Sequence, residues 1–228
     1  MYNKGSMKST IGKNTRELLK SYLACLTLAS IFYGGGNYIE NQTIYYNFFK
    51  NFISDLGRTI SHSGHDNSVS FFFFTLGMLI QIITVLIYLV KAANYFSKDY
   101  PKMSIFAKCS AIFGSISLFG VIVTPADVPL LYSLHIFFAN SVFNGAFVTL
   151  GIYSYLFYSK GLKNVTYTLF LCLSVILGYI IFLEIGPAPW KSIQSLTIHA
   201  TYQKIAVLSL IGTVWVMSKG TDLLDDKI

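Results

Sequence analysis

Long runs of apolar residues, separated by short polar stretches, dominate the chain. Several runs are about 20 residues long and carry almost no charge, which is the length that a helix needs to cross a hydrocarbon core of roughly 30 Å. The pattern predicts an all-α, polytopic membrane protein that forms one integral membrane domain over residues 1–228. The six predicted transmembrane helices are 18–33, 68–90, 104–123, 134–158, 167–183 and 196–217.

The polar stretch 34–67, between the first two spans, has a helical pattern in its middle. Apolar residues recur at helical spacing, and polar residues occupy the opposite face. This pattern predicts an amphipathic helix of about four turns, either flat in the outer membrane interface or packed on the ends of the bundle. Asp55 and Arg58, three residues apart, can pair on such a helix. Its apolar face would comprise Tyr45, Phe48, Phe49, Phe52, Ile53 and Leu56.

Composition and charge placement support a membrane protein. Hydrophobic residues make up 54% of the chain and charged residues 12%, against roughly 25% charged residues in soluble domains. The net charge of +7 would suit nucleic-acid binding, but 13 of the 17 basic residues fall on one side of the predicted bundle. That asymmetry predicts a protein of the cell membrane whose N- and C-termini both face the cytoplasm, and it argues against a nucleic-acid partner.

Ionisable and polar residues collect on the other, outer side, which holds all four histidines. Charge is costly in lipid, so ionisable groups gathered at one face indicate a site. In the last span, His199, Tyr202 and Gln203 stand at i, i+3 and i+4 and share a helix face. The candidate catalytic or binding residues are Asp55, Asp127, His135, His199 and Gln203.

Three interpretations of this outer set compete. The first is a metal site, most naturally zinc on His135 and His199 with an open coordination position. The second is a metal-free pocket for a lipid head group or another small polar ligand. The third is structural, with side chains that cap and tie together the outer ends of the helices. The chain contains no HExxH or CxxC motif, no phosphate-binding loop and no nucleotide fingerprint, so it leaves the cofactor undefined.

Other polar residues carry simpler expectations. His62 and His65 are expected to be solvated loop residues, and Asp66 or Asn67 is expected to cap the second span, because its side chain can accept a free N–H of the first turn. Gln81, in the middle of the second span, is expected to point into the bundle and to hydrogen-bond another helix.

Short motifs are spread over the chain from about Tyr22 to Val216. They are Phe52–Gly57, Asn67 ahead of a Phe-rich span, Pro125 and Asp127 leading to His135 with Ala139 and Phe143 behind it, and Gln203-Lys204. Together they resemble the uncharacterised six-helix membrane family called domain of unknown function 998. The DRAM-like membrane proteins, which are linked to autophagy and lipid handling, have a similar loop and a histidine at the start of a later helix.

The resemblance implies six spans with the loop motif outside, and it implies no established reaction. The residues that match the family pattern, and to which a family site would be carried over, are Asp55, Asp127, His135 and Gln203.

Three functions remain open. The leading hypothesis is a lipid-interacting or lipid-modifying protein whose site opens to the outer leaflet; in a hydrolase, Asp127 or Asp55 would orient a histidine that acts as base. The second is a small permease or channel, which needs polar residues through the membrane midplane, where Gln81 and Asn144 are the main ones. The third is a non-catalytic scaffold. The expected partners are the lipid bilayer and a lipid or small polar ligand.

Overall fold

The structure, a computed structural model, describes residues 10–225. Three of the basic residues counted above, Lys4, Lys8 and Lys227, lie outside this range. Six α-helices form the fold, so the all-α prediction is confirmed. They are α1 (Ile11–Ile31), α2 (Ser68–Asn94), α3 (Pro101–Val123), α4 (Tyr132–Ser159), α5 (Lys163–Ile185) and α6 (Ile193–Asp225).

Five of the helices, α2 to α6, are long and apolar enough to cross a membrane. The first half of α1 carries Arg16 and Lys20, among other charges, which lowers its hydropathy below theirs. Even so, its 21 residues extend roughly 32 Å and run beside both α2 and α6. Arg16 Nη1 lies 2.8 Å from Asp222 Oδ2 in the last turns of α6. The start of α1 and the end of α6 therefore share one end of the bundle, here called the inner end.

The six helices pack in a ring. Each packs against its neighbours in the chain, and α6 closes the ring against α1. Short connections make the consecutive helices from α2 to α6 antiparallel neighbours, whereas the long segment 32–67 joins α1 to α2. Towards the inner end the ring is filled by large buried aromatic side chains, namely Tyr88, Phe96, Tyr153 and Phe157.

The segment 34–67, here called the outer loop, covers the opposite, outer end. The predicted four-turn amphipathic helix is wrong, because the chain there forms turns and only Ile53–Gly57 is helical, as a 3₁₀ helix. Asparagine side chains take up N–H groups that a helix would use internally. Asn47 Oδ1 accepts from Phe49 N at 3.0 Å, and Asn51 Oδ1 accepts from Asn47 N at 2.9 Å. Such local side-chain bonds compete with helix formation.

We expect the contact between α1 and α2 to depend on Gly77. A Cβ atom at this position would lie 2.9 Å from Cys25 Cβ, and forcing an extra group into such a contact costs about 1–3 kcal/mol. Gly77→Ala should lower the melting temperature of the detergent-solubilised protein. Gly212→Ala is the matched control, because a Cβ there meets nothing within 4 Å. Equal melting temperatures for the two variants would contradict this packing.

Candidate functional site

The 3₁₀ helix Ile53–Gly57, here called the roof helix, lies over the outer end of the ring and is held by side chains from two spans. Gln203 Oε1, on α6, accepts a hydrogen bond from Ile53 N at 2.8 Å. Ser70, at the start of α2, donates its hydroxyl to the Leu56 carbonyl at 3.0 Å. The predicted site residue Gln203 thus holds the roof helix against α6.

Asp55 lies within the roof helix and is buried, with 2% of its surface exposed. Its Oδ2 accepts from Phe52 N at 2.8 Å and from Asn51 Nδ2 at 3.1 Å. Its Oδ1 lies 3.1 Å from His62 Nε2. His62 also packs on the Tyr38 ring, with ring centres 4.6 Å apart. The expectation that His62 is a solvated loop residue is wrong, because the buried carboxylate requires a donor.

Asp127 connects the turn after α3 to the outer loop. Its carboxylate accepts from Thr59 N and Ile60 N, each at 3.0 Å, and from Thr59 Oγ1 at 2.5 Å. Partial burial raises the pKa of Asp127, but the hydrogen bonds from the Thr59 hydroxyl and from the Ile60 and Thr59 amides outweigh it and hold the pKa below its ordinary value. An ionised Asp127 is therefore part of the loop structure at neutral pH.

The two buried histidines each bind a carbonyl of the preceding loop. His135 Nδ1 lies 2.6 Å from the Thr124 oxygen, and His199 Nε2 lies 2.6 Å from the Pro187 oxygen. Because a carbonyl only accepts, these ring nitrogens carry the protons. The His199 ring also packs on Phe182, with ring centres 4.5 Å apart. Both imidazoles therefore have one nitrogen committed to loop structure.

The five candidate residues all serve the outer end, but no hydrogen bond joins any two of them within residues 10–225. Each instead pairs with backbone groups or neighbouring loop side chains. The described chain also contains no group of three or more His, Cys, Asp or Glu side chains that could hold a metal ion. These contacts fit the third interpretation, in which polar side chains tie the ends of the helices together.

One further expectation from sequence is wrong, and another holds for one of its two residues. Asp55 and Arg58 do not pair, because the Arg58 Nε donates to the Ile60 carbonyl at 3.1 Å. Of the two candidates for capping α2, Asp66 accepts from Ser68 N at 3.3 Å, whereas the Asn67 side chain does not cap that helix. Instead it accepts from Gly34 N at 3.0 Å and donates to the Arg58 carbonyl at 2.8 Å. Its role is to join the two ends of the outer loop.

Sequence reasoning did not assign a structural role to Lys204, which is 3% exposed. Its ammonium donates to the carbonyls of Asn51 and Ala200 and lies 5.1 Å from the centre of the Phe48 ring. A buried cation needs such partners. The sequence did offer one indication of this role, because Lys204 directly follows Gln203 at the outer end of a predicted span.

Beneath the roof helix, a partly open cavity of about 170 Å³ lies between the helices of the ring. Its lining on α2 runs from Phe74 to Leu89, roughly 22 Å along the helix axis. Ile53, Ser54 and Gln203 line its outer end. The cavity therefore extends from the roof helix through the middle of the predicted membrane region.

Small residues on α3 and α4 create this space. Ala111, Gly114, Ala139 and Ala146 line it, where larger side chains would fill the ring. A Cβ atom added to Gly114 would meet nothing within 4 Å. The rest of the lining is almost entirely aliphatic or aromatic, and Gln81 is the polar residue at its mid-height.

Gln81 is 9% exposed, which confirms that it points into the bundle. However, its Oε1 is buried and has no hydrogen-bond partner within residues 10–225, so the expected hydrogen bond to another helix is wrong. The amide faces the cavity instead.

No family model, curated protein or solved structure matches the chain. The resemblance to the six-helix family therefore stays a prediction.

The lowered pKa of Asp127 predicts an acid-sensitive contact. A carboxylate whose pKa is lower in the folded protein contributes stability above its ordinary value of 3.8 and loses that contribution as the pH falls through the folded-state pKa. Asp127→Asn should lower the melting temperature at neutral pH, and the difference from the parent should shrink as the pH falls below 3.8. Asp66→Asn, an exposed carboxylate bonded to Ser68, is the control. A difference in melting temperature between Asp127→Asn and the parent that does not change with pH would contradict the lowered pKa of Asp127.

Proposed function

We propose that this multi-pass membrane protein binds a lipid, or a similar apolar molecule, in the cavity between its helices. The observation that supports this most directly is the combination of volume and lining. A space for one water molecule needs about 10–15 Å³ on a comparable measure, whereas this cavity has about 170 Å³. Its largely apolar walls provide few partners for water and suit a hydrocarbon.

The energetic cost of an empty cavity supports the same proposal. Unfilled space in a closed protein core costs roughly 24 cal/mol per Å³, so about 170 Å³ left empty would cost at most about 4 kcal/mol. Protein interiors are normally packed as closely as organic crystals. An apolar occupant would recover the lost van der Waals contacts along the five helices that line the space.

Binding is better supported than catalysis. A catalytic site brings a nucleophile, a base and an orienting group within hydrogen-bond reach. The candidate residues Asp127, His135 and His199 are instead each bonded to a separate loop. In this proposal Asp127 is a positioning residue that holds the outer loop over the ligand, and His135 and His199 fix the loops that precede α4 and α6.

Binding is also better supported than permeation. A path for polar solutes or ions needs polar groups spaced along the whole membrane depth. The lining of α2 between Phe74 and Leu89 has Gln81 as its polar member, beside Met78 and Val85. The inner end of the ring is filled by the aromatic cluster around Tyr88.

We further propose that the cavity's roof faces the outer leaflet of the cell membrane and that the inner end faces the cytoplasm. The positive-inside rule supports this orientation, because Lys91, Lys98, Lys160 and Lys219 belong to the inner end and Lys50 and Arg58 to the outer loop. The Arg16 and Asp222 ion pair, which places the two chain ends together, is consistent with it.

Filling the cavity should abolish ligand binding. Gly114→Leu places an isobutyl group in the space without a clash at Cβ, whereas Gly212→Leu, also free of contacts at Cβ, lies outside the lining. With 1-aminoanthracene as a fluorescent apolar probe, Gly114→Leu should bind at least about tenfold more weakly than the parent, a loss of about 1.4 kcal/mol. Gly212→Leu should bind like the parent.

Equal binding by Gly114→Leu and the parent, with both proteins folded, would reject the cavity as the ligand site. Native mass spectrometry provides a second readout, because a lipid retained by the parent and by Gly212→Leu should be missing from Gly114→Leu.

The orientation can be tested in intact cells. A protease-cleavable tag at the C-terminus should resist external protease until the cells are lysed. The same tag inserted at Gly64, an exposed outer-loop glycine whose Cβ would meet nothing within 4 Å, should be cleaved without lysis. The reverse result would invert the proposed orientation while leaving the cavity proposal intact.

A further inference from the structure

Gln81 is an isolated polar group in an apolar cavity. It lies midway along α2, whose ends are Ser68 and Asn94, and its Oε1 is buried without a hydrogen-bond partner. A primary amide that leaves water without a partner loses free energy relative to an apolar side chain of the same shape. The amide therefore adds no stability to the fold unless a molecule in the cavity forms a hydrogen bond with it.

Two hydroxyls of the lining, those of Ser110 and Thr149, do not supply the missing donor. The Ser110 hydroxyl donates to the Ala107 carbonyl at 2.9 Å, and the Thr149 hydroxyl donates to the Gly145 carbonyl at 2.8 Å. Each hydroxyl has one proton, and both protons are used within their own helices. Within residues 10–225 no group donates to Gln81 Oε1, so an occupant of the cavity would supply the donor.

The chemistry of the site restricts that occupant. A charged group is disfavoured because the surrounding walls are aliphatic and aromatic, with Met78, Val85 and Phe143 among them. A water molecule needs two to four polar partners, and here Gln81 is the main one. A neutral hydroxyl both donates and accepts, so it can bind the amide whichever way its oxygen and nitrogen are oriented.

We propose that Gln81 recognises a hydroxyl group, and that the ligand class is an uncharged apolar alcohol whose hydrocarbon body lies along the helices. This inference rests on the proposed function, because it requires a ligand in the cavity, and it adds the polar group by which that ligand is selected. In this arrangement the aliphatic walls provide affinity and the single amide provides specificity.

The test compares 1-decanol with decane as competitors of 1-aminoanthracene, using the full-length protein in one detergent. We expect decanol to be preferred over decane by the parent, and Gln81→Leu to reduce that preference about tenfold, as expected for one buried hydrogen bond. Both proteins are measured against the same micelles, so partitioning into detergent cancels when the two preferences are compared.

Thr75→Val is the matched control. Thr75 lies on the same helix and has a buried hydroxyl oxygen without a partner, but it does not line the cavity. Its replacement should leave the preference for decanol unchanged. Gly114→Leu should weaken the binding of both competitors. Gln81→Leu should also melt at or above the temperature of the parent, because it removes an unpaired amide; if it fails to fold, Gln81→Met replaces it.

The outcomes separate the two proposals. If decane and decanol both displace the probe but Gln81→Leu leaves their ratio unchanged, hydroxyl recognition is wrong and the apolar cavity site stands. If neither compound displaces the probe from the parent, the cavity site itself is rejected, and the proposal about Gln81 falls with it.

Discussion

The backbone of a loop at a membrane surface needs hydrogen-bond partners, and this requirement organises the whole outer end. An unpaired buried amide or carbonyl costs roughly 1–3 kcal/mol, and the turns, the isolated bridge between Ile60 and Asp66 and the five-residue 3₁₀ helix pair only part of the outer loop's backbone groups. Side chains from other elements, and from the loop itself, supply further partners. Gln203 binds Ile53 N, Asp127 binds Thr59 and Ile60, and Asn67 binds Gly34.

This requirement also explains why polar residues cluster on one side of the membrane. A site built for catalysis and a loop built from irregular backbone both need buried carboxylates, imidazoles and amides. In this protein the partners of Asp127, His135 and His199 are loop backbone groups. The clustering is therefore explained by the anchoring of loops, and the cavity below provides a more specific indication of function.

The roof helix and the ring of spans together form that cavity. Because each helix packs beside its neighbours in the chain, the centre of the ring depends on side chains for filling, and Gly114 and Ala146 are too small to fill it. The aromatic cluster around Tyr153 fills the inner end, while the roof helix covers the outer end. What remains is a long apolar space in which Gln81 is the unpaired polar group at mid-height.

The sequence by itself determined the membrane class, five strongly apolar helices and the inward orientation of Gln81, because hydrophobicity and helical spacing are local properties of the chain. It also located the polar residues at one end. It failed for the outer loop, where Asn47 and Asn51 redirect backbone hydrogen bonds, and for the pairing of Asp55 with His62. Only the tertiary structure decided those partners and the cavity, since both depend on how residues distant in sequence pack around the ring.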